Sequence, residues 1–260
     1  LAGLTDPKRV RGGVTVGLAS AASLAIGLEM ILFLAIAGGQ IVLRWVWDDA
    51  DLRRLRAYAL SLAGGTSFFY LAFASYANQM PRCDALTPVW LSVMVTAGAL
   101  LFAVSWLPLR TPAQRFGAAA IAGLVLAAGF AAVWPQCLGR PEQVSPELER
   151  LWLKNITEAK PIYEQQWIAF LPNIFLPLLG LIGTGWALLR HRGGPQAGAW
   201  AALFLMSLLS TLMLVWQTRA APGAQMVSLA GATWLTWTVL SATMASHHML
   251  VRVFGTVGAF

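Results

Sequence analysis

The chain has 260 residues, of which 58% are hydrophobic and only 11% charged, and it carries a net charge of +7. A mean hydropathy of +0.65 excludes an ordinary water-soluble domain. The positive charge does not indicate nucleic acid, because no basic stripe is interleaved with stacking aromatics; in a membrane chain such residues hold cytoplasmic turns in place.

Lys8, Arg9 and Arg11 precede an apolar run over residues 14–44. As one helix this run would rise about 46 Å, against a hydrocarbon core of about 30 Å. A break at Ile26-Gly27-Leu28 divides it into spans 14–26 and 28–44. Arg44, Arg53, Arg54 and Arg56 close the run, so both ends are basic and the segment crosses there and back. Glu29 lies just past the break. A carboxylate in an apolar segment is expensive, so it is either a substrate-binding group or a neutral acid hydrogen-bonded within the hairpin.

Further spans fall at about 57–77, 88–109, 115–134, 166–189, 197–216 and 226–246, with an external loop at 135–165. The runs FGAAAIAGLVLAAGFAAVW after Arg115 and AGAWAALFLMSLLSTLMLVW after Gln196 are long enough to cross a bilayer. Threading them in alternation puts twelve basic residues in inner turns and only Arg82 and Arg219 in short outer ones. The expected fold class is all-α: one polytopic transmembrane helix bundle over 1–260, with a short amphipathic helix on its outer face. Trp134, Trp167 and Trp216 near outer span ends, and Trp45, Trp47 and Trp106 near inner ones, suit interfacial belts. Leu1 follows no signal-peptide pattern and VFGTVGAF ends the sequence still apolar, so the expectation is an excerpt of a longer polypeptide.

The outer turn PRCDALTP carries Asp84, which reads as an accessory acid, a helix cap or a partner of Arg82. Cys83 and Cys137, the only cysteines, both fall in outer loops and are expected to pair, which requires an oxidising compartment such as the periplasm. In the external loop, Ser145 is a good N-cap, Pro146 suits the first helical position, and Leu148, Leu151, Trp152 and Ile156 recur on one helical face. Pro161 ends that helix or follows its end. Glu158 then sits at the exit, as a substrate-orienting base or paired with Lys154 four residues earlier. Arg219, in VWQTRAAPGAQ before a Pro-Gly turn, is either a phosphate clamp or an interfacial snorkelling arginine. His191, His247 and His248 lack zinc spacing and read as structural. No Walker-type or dinucleotide fingerprint is present.

The run Asn155-Ile156-Thr157-Glu158-Ala159-Lys160-Pro161 resembles the Ser-Val-Ser-Glu-His-Gln-Pro run of eukaryotic oligosaccharyltransferase catalytic subunits and the Thr-Ile-x-Glu motif of their bacterial relatives. Those proteins are GT-C multi-pass glycosyltransferases, and GLASAASLAIGLEM, CDALTP and WPQCLG make the wider chain similar to bacterial membrane proteins of that type. Ile156, Glu158 and Pro161 match by type and spacing, whereas Asn155 replaces Ser or Thr and Ala-Lys replaces His-Gln.

The resemblance implies transfer of a sugar from a polyprenyl-phosphate donor to an acceptor at the periplasmic face of a bacterial inner membrane. Glu158 and Asp84 would be the catalytic pair, with Arg219, Glu29 and Thr157 binding substrate. The partners implied are membrane lipid and the lipid-linked donor, with no nucleic acid. A magnesium or manganese ion would be compatible, although no metal ligands are assigned and Asp84 lacks Asp-x-Asp or Asp-x-Glu spacing. The family's principal aspartate would lie upstream of Leu1. A transporter or flippase for a lipid-linked or amphipathic solute is the alternative, and a non-catalytic scaffold the third.

Overall fold

The computed structural model describes residues 2–139, 146–152 and 155–258. It is all-α, with no strand among the described residues, and it divides into two compact units, Leu1–Ser145 and Pro146–Phe260.

The first unit contains α1 (Ala2–Thr5), α2 (Arg9–Ile26), α3 (Ile31–Trp47), α4 (Leu52–Phe73), α5 (Pro88–Val104) and α6 (Pro112–Val133). α2 stops at Ile26, and Gly27 follows in extended backbone. Its main neighbour is α4 rather than α3. Gly13 lies against the Arg54 carbonyl and Ala57, Gly17 against Ser61 and Leu62, and Gly65 against Leu18 and Ala21. These pairs climb both helices in the same direction, so α2 and α4 are parallel and α3 is the return.

α5 runs antiparallel to α4. A Cβ on Gly98 would sit 2.6 Å from the Ala59 carbonyl, while Arg56 donates to the Ser105 carbonyl at 2.8 Å. α6 turns back again: Trp134 Nε1 donates to Ser92 Oγ at 3.1 Å, and Trp90 stacks on Phe130. These directions gather Arg9, Arg44, Arg54 and Arg115 at one end of the unit. At the other end Cys83 and Cys137 form a disulfide, with their Cα atoms 5.4 Å apart.

The second unit contains α7 (Pro146–Leu151), α8 (Trp167–Arg190), α9 (Ala197–Met213), α10 (Ala221–Met244) and α11 (Met249–Gly258). α8 and α10 cross through Gly180 on Ser228 and Gly183 on Gly231. Gln225 Nε2 donates to the Pro172 carbonyl at 3.1 Å, and this pair too runs parallel. α8 continues through Pro172 and Pro177, with Asn173 Nδ2 donating to the Ala169 carbonyl at 2.8 Å.

Several boundaries differ from the sequence reading, each for a local reason. α5 ends at Val104, not 109, because Arg56 holds Ser105 and Pro108 disfavours helical backbone at Leu107. α6 starts at Pro112, set by a capping box of Thr111 and Gln114. α9 ends at Met213, short of 216, where the Leu214 carbonyl accepts from Ile162 N at 2.9 Å. Pro222 and Gly223 are not a turn but the first turn of α10, where proline suits the missing donor. The surface helix α7 is only Pro146–Leu151; Asn155 Nδ2 takes the Leu151 carbonyl at 2.9 Å, competing with a further helical turn. The Ser145 cap and the Lys154 partner of Glu158 lie outside the described residues.

α6 and α8 are long and apolar enough to cross a bilayer. α3, α5 and α9 are apolar but have 17 residues each, about 25 Å of rise.

Candidate functional site

The external-loop motif is built in the second unit. Thr157–Ala159 forms a 3-10 turn that holds Glu158 exposed to solvent. Pro161 keeps Lys160 extended, and a second 3-10 turn follows at Ile162–Glu164.

This segment docks on the turn before α10. The Lys160 carbonyl accepts from Thr218 N at 2.9 Å and from Thr218 Oγ1 at 2.7 Å. Gln165 Nε2 donates to both the Thr157 carbonyl and Thr218 Oγ1. Beneath them, Ile162 is buried with Leu214, Ala220, Ala221 and Ala224. The Thr218–Ala220 turn carries Arg219, half-buried at the start of α10. Positions 157–165 and 217–220, far apart in sequence, thus form one hydrogen-bonded platform. Spacing gave no sign of Gln165 or Thr218; only the fold reveals them.

Asp84 and Glu29 belong to the first unit, on separate turns with no hydrogen bond or ion pair joining them. Asp84 is exposed in the loop before α5. It neither caps α5, whose N-cap is Thr87, nor pairs with Arg82 among the described residues. That loop is braced by the disulfide, by Thr87 Oγ1 donating to the Arg82 carbonyl at 2.7 Å, and by Trp90 Nε1 donating to the Cys83 carbonyl at 2.9 Å. Glu29 is exposed in the α2–α3 turn. No hydrogen bond holds it within the hairpin among the described residues.

No group of three His, Cys, Asp or Glu residues placed to hold a metal occurs among the described residues.

Sequence reasoning missed a charge cluster at the arginine-rich end of the first unit. Asp51, 1% exposed, faces Arg44 at 2.8 Å, Arg9 at 3.2 Å and Arg54 at 3.5 Å. Arg54 is itself buried and donates to the carbonyls of Gly3, Leu4 and Asp6. Burial pushes the Arg54 guanidinium below its ordinary pKa, and Asp51 opposes that shift. Arg115 reaches back from α6 to the Trp45 and Val46 carbonyls and to Asp49. At the rim, the Arg11 side chain hydrogen-bonds Asp6 and holds its carboxyl below the usual range. The signal was present in WDDADLRRLR, where three acids stand just ahead of three arginines.

No protein-family model, curated protein or solved structure matches the chain.

Proposed function

We propose that this protein is an integral membrane glycosyltransferase of GT-C type, acting at the periplasmic face of a bacterial inner membrane on a polyprenyl-phosphate-linked sugar. The observation that carries this reading is the platform joining the Glu158 turn to the Arg219 turn. It sets a solvent-facing carboxylate and a guanidinium on adjacent, mutually fixed turns. In the reaction the acceptor oxygen attacks the anomeric carbon, the bond from that carbon to the phosphate oxygen breaks, and the acceptor proton leaves. Glu158 would accept the acceptor hydroxyl's hydrogen bond and orient it. Arg219 would hold the donor phosphate as its charge grows.

Membrane placement draws on α6 and α8, with the remaining apolar helices completing a polytopic bundle. The Cys83–Cys137 pair suits an oxidising compartment such as the periplasm. The decisive measurement is sugar transfer by Glu158→Gln and Arg219→Lys in membranes. A loss of about 10²-fold or more is expected for the first, in keeping with removal of a positioned acid–base group. Unchanged turnover by Glu158→Gln would end its assigned role.

A further inference from the structure

The first unit contains a cavity of about 390 Å³ that sugar transfer does not use. Its walls are α3 on one side and α5 with α6 on the other, over a floor of α2 and α4. Small residues create the space, among them Ala35, Gly39, Ala97, Ala119 and Gly123. A Cβ on Gly39 or Gly123 would meet nothing within 4 Å, so packing does not close it. The space is apolar and only half enclosed, so in a bilayer lipid chains have access to it.

Two observations identify what belongs there. The lining extends along α3 from Ile31 to Val42, about 16 Å of helix rise. That length suits a hydrocarbon chain lying along the helices. Secondly, Tyr58 is 5% exposed and lines the cavity, yet its hydroxyl has no hydrogen-bond partner among the described residues. That hydroxyl lies 2.5 Å from where a Cβ on Gly38 would sit.

Tyr58 is also only two residues beyond Arg56, about 3 Å of rise. The Arg56 guanidinium stacks over the Trp106 ring at 4.3 Å. Arginine and tryptophan are interfacial anchors. In a bilayer the tyrosine hydroxyl would therefore lie at the depth of lipid ester groups, with the cavity leading from it into the hydrocarbon.

We propose that the cavity holds one acyl chain of a glycerophospholipid from the leaflet at the arginine-rich end, with Tyr58 donating to the ester carbonyl. The proposal rests on the membrane reading and not on sugar transfer. A polyprenyl phosphate has no ester carbonyl for the Tyr58 hydroxyl to meet.

The test uses the full-length protein in vesicles of phosphatidylethanolamine and phosphatidylglycerol, doped with a phosphatidylcholine that carries a mid-chain diazirine. After photolysis, label is expected on Ala119, Gly123 and the facing part of α3, above that on the outward residues Ile121 and Leu124. Gly39→Leu and Gly123→Leu, which enter open space, should each reduce cavity label to the outward level. Tyr58→Phe should weaken retention about five-fold, the worth of one hydrogen bond. Closure of the Cys83–Cys137 disulfide in each variant reports folding.

Equal label on both faces of α6, no effect of the filling substitutions, or displacement by excess polyprenyl phosphate would overturn the proposal. Alkaline-carbonate washing separates the premises. Protein released from the vesicles removes the membrane reading and the lipid with it, whereas protein retained without cavity label removes only the lipid.

Discussion

Replacing Asp51 by alanine is the sharpest probe of the first unit. The carboxylate is surrounded by three guanidinium groups, two of them partly exposed: the side chains of Arg9 and Arg44 are 38% and 35% exposed. For those two, water screens the attraction, and each alone should contribute no more than about 1 kcal/mol. Arg54 is different, because its side chain is 2% exposed and cannot reach solvent. The carbonyls of Gly3, Leu4 and Asp6 take its two terminal nitrogens, but its buried Nε makes no hydrogen bond and its charge is not cancelled.

Loss of Asp51 therefore leaves a buried cation without its counter-charge, a change that costs about 3–5 kcal/mol. Arg9→Ala should cost under about 1 kcal/mol. Unfolding of purified protein by sodium dodecyl sulfate in mixed micelles, followed by far-UV circular dichroism, measures both. Combining Asp51→Ala with Arg54→Met should recover much of the loss, since the uncompensated charge goes too. The argument fails if Asp51→Ala is no more damaging than Arg9→Ala, or if the double variant is as unstable as the sum of its parts.

Three further outcomes are expected. The disulfide joins residues 54 apart in sequence, so reduction, or Cys83→Ser with Cys137→Ser, should lower stability by about 4 kcal/mol on the loop-entropy relation; detergent unfolding with and without dithiothreitol checks this. A Cβ on Gly183 would collide with the Gly231 carbonyl, whereas one on Gly129 would meet nothing. Gly183→Ala should thus cost about 1–3 kcal/mol and Gly129→Ala should gain up to about 1 kcal/mol, both measurable in the same assay. The Asp6 carboxyl has its pKa lowered in the fold. Its contribution is therefore full above its ordinary value near 3.8 and disappears as pH falls through the lowered value. Wild type should lose stability relative to Asp6→Asn as pH falls below the ordinary value near 3.8, and parallel curves would remove Asp6 from the account.

Hydrophobic run length and turn charge suffice to place most helices of this chain, because both depend on local composition. The chain break at Gly27 is legible for that reason. Ends are less so, since distant groups decide them: Arg56 claims Ser105, and Ile162 claims the Leu214 carbonyl. The acids of WDDADLRRLR escaped notice because an inside-positive count weighs lysine and arginine and disregards carboxylates. Glu158 and Arg219 stand out by residue type, but Gln165, Thr218 and Ile162, which fix their turns together, look like ordinary loop residues until the chain is folded.

The helix crossings add an argument that composition alone cannot supply. In each unit the closest pair is parallel and separated in sequence by a single helix: α2 and α4 across α3, and α8 and α10 across α9. A parallel pair with one helix between them requires the middle helix to run the other way. Each unit therefore holds three consecutive helices that alternate in direction, a result of packing without any appeal to charge. Both crossings place glycine, alanine or serine at their points of closest approach. In lipid, where tails solvate leucine as well as a neighbouring helix does, close backbone approach is the main source of association. Bulky substitution at Gly17 or Gly183 would therefore force the helices of each pair apart.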